Sequence, residues 1–133
     1  MTYISATLRR YIEERASYRC EYCLLGISLS FFPHEIDHII AVKHGGTTDA
    51  DNLALACWRC NRYKGTDLGS FDPQTSAFSF LFNPRTQNWP EHFTLDDDAL
   101  IIGLTPEGRT TVNLLQLNSD ERLAERRRSL SSS

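Results

Sequence analysis

At 133 residues and a formal charge of −3, the chain has room for one compact domain, or one small domain with an elaboration. Its 41% hydrophobic and 23% charged composition is that of a folded globular protein and excludes a disordered one. No apolar run of about eighteen residues occurs, which excludes a helical membrane span. The N-terminal stretch MTYISATLRRYIEER lacks an apolar signal core, so a cytoplasmic location is expected.

In chain order, Ser5–Ala16 reads as a helix, with Ser5 as its N-cap and Ile4, Leu8, Tyr11 and Ile12 recurring on one face. Arg9, Arg10 and Arg15 fall on the other faces and read as a solvated surface. After the irregular link 24–33, the β-branched run Ile36, Ile39, Ile40 favours a strand over 35–41. Residues 43–49 carry every signal of a loop, and 52–56 suit a second short strand. Residues 58–64 suit a helix that Gly65 stops.

Beyond residue 66 the pattern predicts strands over 77–82, 93–95 and 99–104 and a turn at Asn83-Pro84-Arg85. Trp89, His92 and Phe93 read as core or loop packing. Thr105-Pro106 opens a helix whose apolar face carries Val112, Leu114, Leu115 and Leu117. A last helix over 119–130 ends in Arg126-Arg127-Arg128, a triplet favoured at a helix C-terminus by the macrodipole, followed by a serine tail. The charge is uneven, +1 over residues 1–64 and −4 over 65–133, so the first half is the better match for an anionic substrate.

The cysteines carry the most information. Cys20-Glu-Tyr-Cys23 and Cys57-Trp-Arg-Cys60 are two Cys-x-x-Cys pairs, and each aims two thiolates at one point. Together they make a tetrahedral set of four sulfurs for structural Zn²⁺. Two disulfides disagree with a reducing compartment. A thioredoxin-like motif uses one pair and leaves the other idle, and rubredoxin-type iron binding uses similar knuckles. A closed four-cysteine site has no open position for catalysis, so any chemistry lies elsewhere.

Asp37, His38, Asn52 and Asn61 are the polar groups inside or beside the apolar segments between those knuckles. A carboxylate and an amide oxygen are hard ligands suited to Mg²⁺ or Mn²⁺. A neutral imidazole can take a proton from water near neutral pH. Asp37 and His38 are neighbours on an extended segment, so they face opposite ways unless the backbone bends.

Cys20-x2-Cys23, Glu35-Ile36-Asp37-His38-Ile39, Gly45-Gly46, Asn52-Leu53 and Cys57-x2-Cys60-Asn61-x2-Lys64 together resemble the HNH endonuclease family in its four-cysteine zinc form. The resemblance covers about residues 16–66 and implies an α+β fold. Its centre is a small ββα-metal core braced by the Cys₄ zinc site, with an N-terminal helix and a C-terminal strand and helix elaboration. On that reading residues 1–66 hold the helix and nuclease core, and 67–133 are the elaboration packed on it.

The resemblance implies that His38 activates the attacking water, that Asp37 and Asn61 hold one divalent cation, and that Asn52 braces the loop and orients His38. It implies cleavage of DNA leaving 5′-phosphate and 3′-hydroxyl ends, with Zn²⁺ structural and Mg²⁺ or Mn²⁺ catalytic. Two departures stand out: the third family letter is Asn61 rather than His, and Ala41 sits where a proline often follows. Arg62 and Lys64 are candidate phosphate contacts. Trp58, Tyr22 and Tyr63 read as packing around the zinc, and His34 and His44 as surface histidines. The rival reading is a zinc module that binds nucleic acid or a protein partner without cleaving.

Overall fold

The computed structural model describes residues 3–131, and the last two serines of the tail lie outside them. Helix α1 spans Ala6–Arg15, where the Ser5 hydroxyl accepts from the Leu8 amide at 3.1 Å and so caps the first turn. Strands β1 (Glu35–His38) and β2 (Leu53–Ala56) form an antiparallel hairpin that pairs Glu35 with Ala56 and His38 with Leu53. Helix α2 spans Trp58–Lys64 and stops at Gly65, whose φ of 52° suits a residue without Cβ.

All four residues of β2 are buried, and its alternation splits them between two cores. Leu53 and Leu55 meet Ile12 of α1, with Leu8, Ala16, Ile27 and Ile36 around them. Ala54 and Ala56 face the opposite way, into a larger cluster with the four cysteines, Tyr22, Phe82, Phe93, Ile101, Leu115 and Leu117. The C-terminal segment therefore shares its core with the cysteine site.

That segment holds two further hairpins, β3 (Gly69–Phe71) with β4 (Phe78–Phe80) and β5 (Phe93–Leu95) with β6 (Ile101–Gly103). The one-turn helix α3 (Trp89–His92) precedes β5. Helix α4 (Pro106–Leu114), capped by the Thr105 hydroxyl, packs on β3, β4 and β6. Helix α5 spans Asp120–Ser131. The architecture is a small α+β fold of short antiparallel hairpins and helices, and no helix among the described residues is long and apolar enough to cross a membrane.

Several arginines read as solvated are anchors instead. Arg15 donates to the carbonyls of Ala50 and Leu53, and Arg9 to that of His34. Arg126, read as part of a basic helix C-terminus, is buried and donates to the Ala99 and Leu117 carbonyls and to Asn118 Oδ1, so it also anchors the loop before α5. A guanidinium satisfies several carbonyls at once, which suits it to irregular backbone.

The Asp72 carboxylate accepts both the Nε and the Nη2 of Arg109, at 3.0 and 2.7 Å, tying the β3–β4 hairpin to α4. Arg109 holds this carboxyl at about 2, aided by the Gln74 amide and the Thr75 hydroxyl. A depressed carboxyl stabilises the fold above the ordinary carboxylate range and loses that contribution as pH falls through its folded value. Thermal melts of Asp72→Asn should therefore lie below wild type at neutral pH, with the gap closing as pH drops toward about 2.

Candidate metal centre and active site

The two Cys-x-x-Cys turns close on one point. The four Sγ atoms lie within 4.8 Å of one another and all four residues are buried. Within the first turn the amides of Tyr22 and Cys23 donate to Cys20 Sγ. In the second, Cys57 is the N-cap of α2 and its sulfur accepts from the Cys60 amide. Cys23 and Cys57 approach to 3.7 Å between sulfurs, far beyond a disulfide bond.

Burial pushes the Cys20 and Cys60 thiols well up, while hydrogen bonds from the neighbouring thiols, led by Cys20, hold Cys23 and Cys57 down. Four sulfurs this close cannot all ionise without a cation between them. The donor set therefore fits structural zinc.

Arg122, on α5 and far away in sequence, completes the surroundings. It is buried, with Nη2 at 2.8 Å from Cys60 Sγ and 3.5 Å from Cys57 Sγ, and Nη1 donating to the Leu115 carbonyl. A zinc ion with four thiolates carries net negative charge, which a buried guanidinium offsets. Burial opposes the charge on Arg122, but the Cys60, Cys23 and Cys57 sulfurs outweigh it and raise its pKa. No local sequence pattern announces this role.

The hairpin and α2 position the other candidates. Glu35 and Asp37 share one face of β1 and look toward α2. Asn61 Nδ2 donates to Glu35 Oε1 at 2.6 Å. One turn further along α2, Lys64 reaches Asp37. Its Nζ lies 3.2 Å from both Asp37 oxygens and also donates to the carbonyls of His38 and Ile39, at 3.1 and 3.0 Å.

The Tyr22 hydroxyl donates to Asp37 Oδ2 at 2.7 Å. Asp37 and Lys64 are only 3% and 2% exposed. Burial pushes the Asp37 carboxyl up, and Lys64 and Tyr22 pull against that. Lys64 thus lies beneath the surface and is spent on Asp37 and the backbone, whereas Arg62 is exposed.

His38 points the other way. It is half-buried, and its Nε2 lies 3.1 Å from the Thr48 hydroxyl. The loop carrying Thr48 is held by Asn52, whose side chain accepts from the Ile40 amide and donates to the carbonyls of Ile40 and Thr47. Gly46 allows this closure, since a Cβ there would stand 1.7 Å from the Ile40 carbonyl oxygen.

Asn52 thus ties Ile40 to Thr47 across the loop. Among the described residues, His38, Asp37 and Asn61 do not hydrogen-bond one another. Each is held by a different partner: Thr48, the Lys64–Tyr22 pair, and Glu35. No residue pattern in the sequence marks Glu35 as part of the site; its signal is position alone, two residues before Asp37 and so on the same face of β1.

The remaining candidates resolve one by one. His34 is buried, its Nε2 at 2.8 Å from the Leu25 carbonyl, and is not a surface histidine, while His44 is exposed. Arg59 pairs with Glu125 and Glu121 on α5. Arg85, in the turn after β4, is bound to Glu21 and the Leu53 carbonyl. Tyr22 packs in the core as expected, whereas Tyr63 is exposed and Trp58 only half-buried.

Residues 20–67 match the family model of HNH endonuclease. No curated protein and no solved structure matches the chain.

Proposed function

We propose that the chain is a divalent-metal-dependent endonuclease that hydrolyses phosphodiester bonds in DNA, a reading supported by the match of residues 20–67 to the HNH endonuclease family model and by the four-cysteine cluster placed to hold a metal ion. The observation that carries the reading is the hairpin and its brace. Asn52 bonds both the amide and the carbonyl of Ile40, and this ties down the loop beside the half-exposed His38.

In this reading His38 takes the proton from the attacking water. The Thr48 hydroxyl holds the ring through Nε2 and leaves Nδ1 facing away from it; with the Nε2–H donating to Thr48, Nδ1 is the nitrogen that takes the proton. Water adds to phosphorus as the bond to the 3′ oxygen breaks, giving 5′-phosphate and 3′-hydroxyl ends.

Asp37 and Asn61 would hold the Mg²⁺ or Mn²⁺, with Glu35 beside Asn61 as a further oxygen donor. A carboxylate offers about four acceptor sites, so Asp37 retains capacity beyond Tyr22 and Lys64. A hard cation held there would supply charge stabilisation for the leaving oxygen. Arg62 contacts backbone phosphate.

The test is cleavage of supercoiled and linear DNA with and without added Mg²⁺ or Mn²⁺. His38→Ala is expected to lose about 10²–10⁴-fold in rate while keeping its circular dichroism and zinc content. Undiminished hydrolysis by a clean His38→Ala preparation removes the proposed base. The second reading, a zinc module that binds without cleaving, draws support from the engagement of both Asp37 oxygens by Lys64. Absence of metal-dependent cleavage by wild type on every DNA substrate selects it.

A further inference from the structure

Beside Asn61 and Arg62, the outer face of α2 carries aromatic rings that the hydrolytic reading does not use. Trp58, Asn61 and Arg62 stand at i, i+3 and i+4 and so share one side of the helix. Phe32 packs edge-on against Trp58, with ring centroids 4.9 Å apart, and Phe31 packs edge-on against Phe32 at the same separation. Phe31 is 88% exposed and Phe32 47%, far more than rings that serve a core.

Guanidinium groups flank the indole. Arg59 Cζ lies 4.9 Å and Arg62 Cζ 5.7 Å from its centroid. Arg59 is held by Glu121 and Glu125, whereas Arg62 is exposed and forms no ion pair with a carboxylate among the described residues. The packing expected of Trp58 around the zinc is thus only half the finding, since the ring also builds an outward aromatic ledge.

We propose that this ledge binds an unpaired nucleobase of single-stranded nucleic acid, leading the adjoining phosphate toward Asn61. The proposal rests on the nuclease reading of the same face and names the strand state of its substrate. Three features select this occupant. Aromatic faces bordered by arginine stack on any base, because every base presents a π-face.

The border is cationic Arg62 rather than an apolar rim, so the complement is an anionic polymer with flat apolar groups. The ledge also runs directly into Asn61, whose side chain meets Glu35 at 2.6 Å. A base within a duplex has both faces covered by its neighbours and cannot take this place.

The test uses the full chain without added Mg²⁺ or Mn²⁺, so that binding is read without cleavage. Fluorescence anisotropy compares labelled dT15, rU15 and a 15-base-pair duplex. The dT15 and rU15 arms present unpaired pyrimidines that differ by one methyl group on two backbones, and tighter binding of either by more than that methyl group accounts for assigns the source. The Phe31→Ala/Phe32→Ala double variant is expected to lose on the order of tenfold per ring on the single strand and to bind the duplex as wild type does.

Both rings are substantially exposed, so folding is expected to persist, and unchanged circular dichroism and zinc content establish this. Stacking also quenches Trp58, so dT15 should lower tryptophan emission. Equal losses on single strand and duplex, or no loss on either, overturn the ledge, as does a duplex that binds more tightly than dT15. Failure of metal-dependent cleavage alongside ring-dependent dT15 binding overturns the nuclease reading and leaves the ledge standing.

Discussion

Cys57→Ser, or removal of the metal by a strong chelator, is expected to unfold the chain at room temperature. The four sulfurs do not decorate a finished core but form its centre, in one cluster with Tyr22, Ala54, Ala56, Phe82, Phe93, Ile101, Leu115 and Leu117. A structural zinc contributes about 10–16 kcal/mol of apparent binding free energy, which is also folding free energy. Domains of this kind have net stabilities of only about 5–15 kcal/mol.

Without the ion, the thiols are left in a buried site with Arg122 as an uncompensated charge. The check is far-ultraviolet circular dichroism together with elemental analysis, which should find about one zinc per wild-type chain. A Cys57→Ser protein with native circular dichroism and no bound metal would remove the zinc from the account of stability.

Lys64→Ala is expected to cost about 3–5 kcal/mol of folding stability at neutral pH, because it strands a buried carboxylate. Asp37 would keep only the Tyr22 hydroxyl, and the carbonyls of His38 and Ile39 would lose a donor where β1 ends. The sign with pH follows from the carboxyl. Burial already pushes Asp37 up, and loss of the ammonium pushes it further.

A raised carboxyl binds its proton more readily in the folded than in the unfolded chain. The Lys64→Ala deficit should therefore shrink as pH falls through that raised value. Urea denaturation across a pH series measures it. The double variant Lys64→Met/Asp37→Asn, which removes both charges at similar volume, should recover most of the loss. A double variant no more stable than Lys64→Ala would show that the carbonyl contacts, not the ion pair, set the cost.

The local elements were readable where short-range chemistry decides them. Ser5 caps α1, Thr105 caps α4, and Gly65 ends α2 as expected, because a cap or a positive φ depends on neighbours within one turn. The strand over 77–82 shows where pattern reading stops. Phe78 and Phe80 alternate as a strand should, yet they point to solvent, and Leu81 and Phe82, just beyond β4, are the buried pair. Alternation specifies two faces without saying which of them finds a partner. Strand β3 and helix α3 are a few residues each and acquire their form from what they pack against.

The sequence by itself determined the metal knuckles, the order of strand, loop, strand and helix between them, and the likeness of residues 20–67 to the HNH endonuclease model. Each depends on residue types at fixed short spacings, and a Cys-x-x-Cys turn or an Asn brace works in the same way wherever the chain places it. The tertiary structure alone decided which charges are buried together. Lys64 closes on Asp37, Asn61 on Glu35, and Arg122 crosses from α5 to the cysteine sulfurs. These pairings depend on how helices pack over a hairpin face and across some sixty residues of chain, and a buried charge is stable only beside whichever partner that packing delivers.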